Sequence, residues 1–196
     1  MEMAVTRCVW AGYHPLCQKY HDKEWGVPLH VDKKLFEFLI LQGMQAGLSW
    51  ITILKKRDAF RDAFDQFDYN NVAEYGNDKI RELLDNAAII RNALKINAAV
   101  DNARALLRVR EEFGTFDEYI WDFVDRKPLQ NAWKTFEELP AKTALAETIS
   151  KDLKRRGFRF VGPTIIYAHM QATGMVNDHT TDCFRHREIS NLTSSR

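Results

Sequence analysis

Two glycines enclose a short, largely apolar segment in the sequence Arg155-Arg156-Gly157-Phe158-Arg159-Phe160-Val161-Gly162-Pro163-Thr164. Gly157 suits the left-handed residue that ends a helix, and proline is favoured in the first turn of the next helix. The pattern predicts a helix over residues 143–156, a tight hairpin over 157–162, and a last long helix over 164–174.

Basic side chains surround this predicted hairpin. They are Lys151, Lys154, Arg155, Arg156 and Arg159. Backbone N–H groups at a helix start, here near Thr164, can hold a phosphate, and nearby cations add affinity that is independent of base sequence. The hairpin therefore fits a site for a nucleic-acid backbone. A solvated basic helix face is the alternative, and the charges alone do not separate the two interpretations.

Apolar residues recur at helical spacing along most of the remaining chain. The longer predicted helices start at an Asp32 N-cap, at Ser49 and near Arg91, the last running to Glu111. Shorter helices are predicted after Asp68, after an N-cap at Asn77 or Asp78, and after an N-cap at Thr115 or Asp117. Residues 128–140 suit a loop, and the polar tail 188–196 suits a frayed end. We expect an all-α fold.

Composition limits the function more than it defines it. The 196 residues carry a formal net charge of +1, with 45% hydrophobic and 28% charged residues. These values are ordinary for a globular domain, so disordered and histone-like proteins are excluded. No apolar run approaches the ~20 residues of a membrane-spanning helix, and the N-terminus lacks a signal-peptide pattern. We expect a cytoplasmic protein that does not associate with membranes.

Cysteine and histidine occur near both chain ends. Cys8 and His21 lie near the N-terminus, and His179 and Cys183 are four residues apart near the C-terminus. Two thiolates and two imidazoles form a standard tetrahedral zinc set, which would tie the ends together and leave no open catalytic position. The alternative is a buried cysteine and surface histidines, because the first gap is not a standard finger spacing. Cys17 is expected to be free.

Aromatic residues cluster with polar ones in two further segments. Tyr20 and Trp25 lie in the first, and Trp50 ends the second, which also contains Gln42. Their rings could stack on a flat ligand such as a nucleobase. Each ring could equally belong to the core, and periodicity does not decide between these interpretations.

Four segments together have a specific family resemblance. They are Tyr20-His21-Asp22-Lys23-Glu24-Trp25-Gly26-Val27-Pro28, Gln45-Ala46-Gly47-Leu48-Ser49-Trp50-Ile51-Thr52-Ile53-Leu54-Lys55-Lys56-Arg57, Gly157-Phe158-Arg159-Phe160-Val161-Gly162 and Asn177-Asp178-His179. With them the chain closely resembles the bacterial 3-methyladenine DNA glycosylase I family, from Cys8 to Cys183. The resemblance implies the all-α helix-hairpin-helix glycosylase fold as one unit, 1–196. A helical lobe (27–165, with the hairpin 157–162) would join a terminal zinc-bound lobe (1–26 with 166–196).

The resemblance also implies residue roles. One structural Zn²⁺ per chain would be held at the positions of Cys8, His21, His179 and Cys183. The base pocket would be formed by Tyr20, Trp25, Gln42 and Trp50, with Tyr20 and Gln42 at the catalytic positions. Leu48 would wedge into the DNA, and the hairpin would anchor it through Arg155, Arg156, Gly157, Arg159, Gly162 and Thr164.

The implied reaction is hydrolysis of the N-glycosidic bond of 3-methyladenine in double-stranded alkylated DNA, by a monomer that releases the free base. N3 alkylation makes the base cationic, so it needs no protonation to leave. No lysine follows Gly162, which favours a glycosylase without lyase activity. Many superfamily relatives place an aspartate after the hairpin helix, where Asn177 and Asp178 are the nearby candidates, but the family resemblance implies that this catalytic aspartate is absent. Orientation of the zinc site is the other role open to Asp178, beside His179.

Gln42 departs from the family pattern, which has a glutamate there. The change removes a negative charge and adds an NH₂ donor. A charge-assisted hydrogen bond contributes about 1.5–3 kcal/mol and a neutral one about 0.5–1.5, which predicts about tenfold weaker binding. Three accounts remain: a working glycosylase with weaker or altered base preference, a relative that binds DNA or modified bases with little catalysis, or a deliberate substitution.

Overall fold

Ten α-helices form nearly all of the regular structure in residues 5–194, the part of the chain that the computed structural model describes. They are α1 (Pro15–Lys23), α2 (Asp32–Gln45), α3 (Trp50–Ala63), α4 (Tyr69–Ala73), α5 (Asn77–Asp85), α6 (Ala93–Phe113), α7 (Phe116–Asp122), α8 (Ala144–Arg155), α9 (Pro163–Ala172) and α10 (Phe184–Ser194). Short 3₁₀ turns occupy Val9–Tyr13, Asp65–Phe67 and Phe136–Glu138. The predicted all-α class is confirmed.

Helix α2 is the centre of the core. All residues from Leu35 to Met44 are buried, and α3, α6, α7 and α9 pack around them. A helix that is apolar on nearly every side is stable only when neighbours cover it. This central position matters for the site, because the C-terminal part of α2 carries the buried Gln42 and leads into the loop with Leu48.

Side-chain caps were predicted at several helix starts, and one of the predicted caps acts on a different helix from its own. Thr115 Oγ1 accepts the Glu118 N–H at 2.9 Å, as one of the two predicted caps of α7. The predicted N-cap at Asp32 is wrong, because Val31 holds that position and Asp32 lies inside α2. The Asp32 carboxylate instead accepts the N–H groups of Phe116 and Asp117 at the start of α7. It therefore stabilises a distant helix end.

Two other predicted starts shift by one or two residues. Gly76 is the N-cap of α5, not Asn77 or Asp78, and α6 starts at Ala93 after an Asn92 cap. Sequence propensity locates a helix better than it locates the end, so shifts of this size are expected.

Helices α8 and α9 enclose the predicted hairpin. Gly157 has φ of 93°, the left-handed geometry that ends α8, and Pro163 opens α9. Two buried side chains hold the hairpin backbone from behind: Asn102 on α6 bonds both the N–H and the C=O of Arg159, and Ser150 donates to Val161 C=O at 2.6 Å. The hairpin is therefore fixed to two helices.

The segments near the two chain ends lie side by side, since the Phe184 N–H donates to the Thr6 carbonyl at 3.0 Å. Two-residue strands β1 (Leu129–Gln130) and β2 (Val176–Asn177) pair in parallel, and α10 follows β2. The prediction of a frayed tail is wrong through Ser194, since α10 is an 11-residue helix with Ile189 fully buried. Helix α9 is accordingly not the last long helix. Between residues 5 and 194, no helix is long and apolar enough to cross a bilayer.

Candidate functional site

A cavity of about 270 Å³ opens between the N-terminal segment, α2, α3 and α9. Its lining residues are Trp10, Tyr20, Trp25, Gln42, Gln45, Trp50, Phe136, Leu139, Ala168 and Gln171. Most of this wall is aromatic or aliphatic, which suits a flat organic ligand. All four residues predicted to form a base pocket line this one cavity.

Neighbouring elements present these aromatic rings. Tyr20 lies in α1 and Trp50 opens α3, and their ring centroids are 5.2 Å apart. Trp10 meets Trp25 edge to face at 5.0 Å on another side of the cavity. Such contacts fix ring orientation, so the aromatic wall is formed before a ligand arrives.

Three buried polar atoms in this wall lack a hydrogen-bond partner. They are the Tyr20 hydroxyl, Gln42 Oε1 and Trp50 Nε1. A buried polar group without a partner costs about 1–3 kcal/mol, so three of them in one wall indicate a surface shaped for a polar ligand. Burial also raises the pKa of Tyr20 far above its usual range. The phenol therefore stays neutral and able to donate.

Cys8, His21, His179 and Cys183 form a second, fully buried cluster behind the cavity. One ligand atom from each lies within 4.8 Å of the others. The Sγ–N separations are 3.5 Å from Cys8 to His179, 3.6 Å from Cys183 to His179, and 3.4 Å from Cys183 to His21. Tetrahedral zinc, with bonds of about 2.3 Å to sulfur and 2.0–2.1 Å to nitrogen, separates such atoms by about 3.5 Å. The cluster fits this geometry.

In both histidines, the ring nitrogen that does not belong to the cluster lies close to an oxygen acceptor. His21 Nδ1 lies 2.8 Å from Asp22 Oδ1, and His179 Nε2 lies 3.1 Å from the Trp25 carbonyl. Arg7 in turn holds Asp22 in a two-pronged ion pair. These acceptors fix the tautomers that expose His21 Nε2 and His179 Nδ1 as ligand atoms. The role of Asp178, which the sequence leaves open, is not the orientation of these rings: its hydrogen bonds are to Asn131, Trp133, Tyr167 and Gln171.

The protonation chemistry of the cluster also suits a metal. Burial lowers the pKa of His179, which keeps its ring neutral. A hydrogen bond from Cys8 lowers the pKa of the Cys183 thiol and raises that of Cys8, so one thiolate forms readily. At Gly26, with φ of 81°, an added Cβ would lie 2.9 Å from His179 Nε2. The backbone therefore approaches the imidazole as only glycine allows.

Comparison with known proteins decides the family. A model of the methyladenine glycosylase family matches residues 10–186. The chain belongs to the methyladenine glycosylase family.

Relatives of this family match nearly the whole chain. DNA-3-methyladenine glycosylase 1 of Escherichia coli K12 is 47% identical over 179 residues, covering 91% of this chain and 96% of the relative. A crystal structure of 3-methyladenine DNA glycosylase I, 47% identical, superposes with a TM-score of 0.88 and covers 91% of this chain and 98% of that one. A Staphylococcus aureus 3-methyladenine DNA glycosylase I, solved to explain 3-methyladenine recognition, has 34% identity and a TM-score of 0.89, covering 92% and 96% of the two chains.

In this methyladenine glycosylase family member, Leu48 lies beside the cavity. A smaller adjoining cavity of about 200 Å³ is lined by Gln42, Leu48 and Thr164 among others. The Leu48 side chain is exposed, at 41%, although it is large and apolar. Thr164, in the first turn of α9 after the Gly162 cap, lines the same smaller cavity. The structure thus brings the predicted wedge residue, the hairpin end and Gln42 together.

The three hairpin arginines differ in their availability. Arg156 is held by Glu112 and Asp152 and packs on Phe113 and Tyr119. Arg155 and Arg159 are more than half exposed, although each has an acidic neighbour. Exposed ion pairs are weak, so these two can exchange partners with a phosphate, whereas Arg156 chiefly stabilises the end of α8.

Sequence reasoning missed part of the cavity wall. The missed residues are Trp10, Gln45, Phe136, Leu139, Ala168 and Gln171. Phe136 and Leu139 belong to the segment predicted only as a loop, and no local pattern places a loop over a pocket. Helical spacing from Ala168 to Gln171 was the one available signal, since residues three apart share a helix face.

Proposed function

We propose that this chain is a monofunctional glycosylase that hydrolyses the N-glycosidic bond of 3-methyladenine in alkylated double-stranded DNA. The observation that carries this function is the aromatic cavity with three unpartnered polar atoms. A flipped base could offer its edge to those atoms and its faces to the rings. The names of the relatives, DNA-3-methyladenine glycosylases at up to 47% identity over most of this chain, support the same activity.

The reaction does not require a strong general acid, because the methylated base already carries a positive charge. The oxygen of a water molecule bonds to C1′ while the C1′–N9 bond breaks, and its electron pair neutralises the positive charge of the methylated base. Free 3-methyladenine and an abasic site result, and the water proton goes to solvent. Unstacking the base costs a few kcal/mol, which ring contacts with Tyr20, Trp25 and Trp50 would offset.

Gln42 and Tyr20 would contact the edge of the base. The unpartnered Gln42 Oε1 can accept from an exocyclic amino group, and the Tyr20 hydroxyl and Trp50 Nε1 can donate to ring nitrogens. Because an amide lacks the charge of a carboxylate, we expect slower turnover than a glutamate at this position would give.

DNA would lie across Leu48 and the hairpin 157–162. Leu48 would fill the gap left by the flipped base, and the N–H groups after Gly162, near Thr164, would bind a phosphate. Arg155 and Arg159 would add affinity that depends on salt, with Arg156 in support. One chain, acting as a monomer, would suffice, with the helical lobe 27–165 and the terminal lobe (1–26 with 166–196) enclosing the cavity.

The cluster of Cys8, His21, His179 and Cys183 would hold one Zn²⁺. Its role would be structural, because four protein ligands complete a tetrahedron and none of the four residues lines the cavity. His21 follows Tyr20 in α1. A metal bond to the His21 imidazole would therefore also hold Tyr20 in place at the cavity wall.

Release of free base from methylated DNA tests this function. We expect the unaltered chain to release 3-methyladenine without nicking the strand, and the Gln42→Glu variant to do so about tenfold faster, from the difference between charged and neutral hydrogen bonds. Gln45→Glu, on the same cavity wall, is the matched control for added charge. DNA binding without release by the unaltered chain would contradict the enzyme and favour a binding protein, the alternative that the neutral Gln42 suggests.

A further inference from the structure

Lys95 is a buried lysine at the start of α6. Its residue is 8% exposed, and burial lowers the pKa of its ammonium group. The ammonium nitrogen Nζ donates to the carbonyl oxygens of Met44 at 2.9 Å and Ala46 at 2.6 Å. Within residues 5–194, Lys95 forms no ion pair. Its buried charge is therefore offset by the dipoles of these two carbonyl groups.

The position of Lys95 is unfavourable for a cation in its own helix. It is the third residue of α6, where the positive end of the helix dipole disfavours a positive charge. The end of α2 has the opposite preference, because the last carbonyl groups of a helix lack partners along the chain and favour a cation. Met44 lies in that last turn, and Ala46 is the C-cap. Lys95 therefore stabilises the end of α2 at the expense of the start of α6.

The loop that follows α2 carries Leu48. It consists of residues 46–49, between α2 and α3. In the described part of the chain, the bond from Lys95 to Ala46 is the one hydrogen bond that ties this loop to another element. The other hydrogen bonds of the loop stay within α2, the loop itself and α3. Lys95 therefore determines where the loop lies relative to α6.

Helix α6 also holds the hairpin. Asn102 lies two turns after Lys95 and bonds both the N–H and the C=O of Arg159. The side chains of Lys95 and Asn102 line one small space beside Phe160 of the hairpin. One helix thus fixes the backbone of the hairpin and of the loop with Leu48, the two elements that the proposed function brings against the same duplex.

We infer that Lys95 holds Leu48 in position to fill the gap that a flipped base leaves in the duplex. This inference rests on the proposed function, in which Leu48 is the wedge, and extends it to a residue outside both the base cavity and the loop. Lys95 is a positioning residue, since it acts through the loop backbone. The competing explanation is that it stabilises the end of α2 without any effect on the wedge.

Two duplexes of equal length and charge isolate the wedge. One is intact, and the other contains a single tetrahydrofuran residue, which lacks a base and therefore presents the gap permanently. Anisotropy titrations give the affinity of the protein for each duplex. Because a side chain inserted into the gap contacts only the abasic duplex, we expect the unaltered chain to bind that duplex about tenfold tighter. Equal affinities would show that nothing fills the gap and would overturn the inference.

The variant Lys95→Met removes the charge and both hydrogen bonds and keeps a long side chain. We expect the preference for the abasic duplex to fall to about threefold or less, because a wedge displaced by about 1 Å no longer fits the gap. Quenching of the cavity tryptophans by free 3-methyladenine should stay unchanged, since the cavity does not depend on the loop position. Equal losses of affinity for both duplexes and for the free base would show a structural role only and overturn the inference.

A double variant tests whether Lys95 acts through Leu48. Leu48→Ala should by itself weaken binding of the abasic duplex. Adding Lys95→Met should then cost little more, because no wedge is left to position. Additive losses in the free energy of binding the abasic duplex would mean that Lys95 acts independently of Leu48, and they would overturn the inference.

Two further variants control for stability. Lys56 also donates to two carbonyl groups, those of Ala87 and Ala88, so Lys56→Met loses an equivalent contact elsewhere and should keep the full preference. If Lys95→Met is too unstable to purify, Lys95→Gln takes its place, since it is uncharged and one bond shorter. Its preference for the abasic duplex should also fall, and an unchanged preference would overturn the inference.

The release assay keeps this result separate from the proposed function. If the unaltered chain releases no 3-methyladenine but prefers the abasic duplex in a way that depends on Lys95, the proposed enzyme fails and the role of Lys95 stands. If it releases 3-methyladenine and shows no preference for the abasic duplex, only the role of Lys95 fails.

Discussion

Replacement of His169 by phenylalanine should stabilise the protein, and increasingly so in acid. His169 lies in α9, is fully buried, and both ring nitrogens lack a hydrogen-bond partner. Burial lowers its pKa from the usual 6.5 to about 3. Phenylalanine has a ring of similar size without those nitrogens. At neutral pH the gain should be about 1–3 kcal/mol, the cost of a buried polar group without a partner.

The acid dependence has a definite sign. Because the folded-state pKa lies below the unfolded value, only the unfolded chain binds a proton at this residue between about pH 6.5 and pH 3. The native chain therefore loses stability as the pH falls through that range, at about 1.4 kcal/mol per unit. At pH 5 the loss should be about 2 kcal/mol, and His169→Phe should be free of it.

Urea unfolding at pH 7.5 and pH 5.0, followed by tryptophan fluorescence, measures this difference. We expect the gap between the two proteins to widen by about 2 kcal/mol at the lower pH, because all other titrating groups are shared. His186→Phe is the control, since that ring is partly exposed and bonds the Asn131 carbonyl. An equal gap at both pH values would refute the reasoning, since it would mean that His169 finds a proton or a partner in the folded state.

Two further variants test the metal cluster and the hairpin. Cys183→Ala should reduce metal from about one zinc per chain and lower the melting temperature by roughly 8–16 °C, if the bound metal stabilises the fold by about 4 kcal/mol. Cys17→Ala, at a buried cysteine outside the cluster, should keep full metal content, and equal loss in both would contradict the ligand assignment. Asn102→Ala should weaken duplex binding in an anisotropy titration and leave quenching by free 3-methyladenine unchanged, because it frees the backbone of Arg159. Asn97→Ala, on the exposed side of α6, is its control. An unchanged duplex affinity for Asn102→Ala would contradict the idea that Asn102 positions the hairpin backbone at Arg159.

Local patterns were sufficient for the hairpin. Gly157 and Pro163 act within a few residues of their own position, so their conformational preferences are visible in the sequence. Thr115 is similarly a cap that bonds three residues along the chain. The four cysteine and histidine positions were visible as a chemical set, but only the structure shows that they meet.

Other features depend on residues far apart in sequence. Asp32 caps a helix more than 80 residues away, and its local sequence suggested the start of its own helix instead. The polar tail forms α10, in which Ile189 is the fully buried residue among the described side chains 184–192. The four hydrogen-bond donors to Asp178 come from a loop and from α9, so no spacing rule could predict these contacts. Long-range packing overrides local propensity at each of these positions.

The contact between the two terminal segments also determines when, during synthesis, the site can be completed. Cys8 meets His179 across 171 residues of sequence, and the Trp25 carbonyl meets the same imidazole. Trp25 therefore leaves the ribosome early but lacks its contact with His179 until residue 179 has been made. A growing chain can form the core around α2 and still have no base cavity. A chain cut short before Cys183 would keep the segments of α1 to α9 and lack one of the four side chains in the cluster that joins Cys8 to His179.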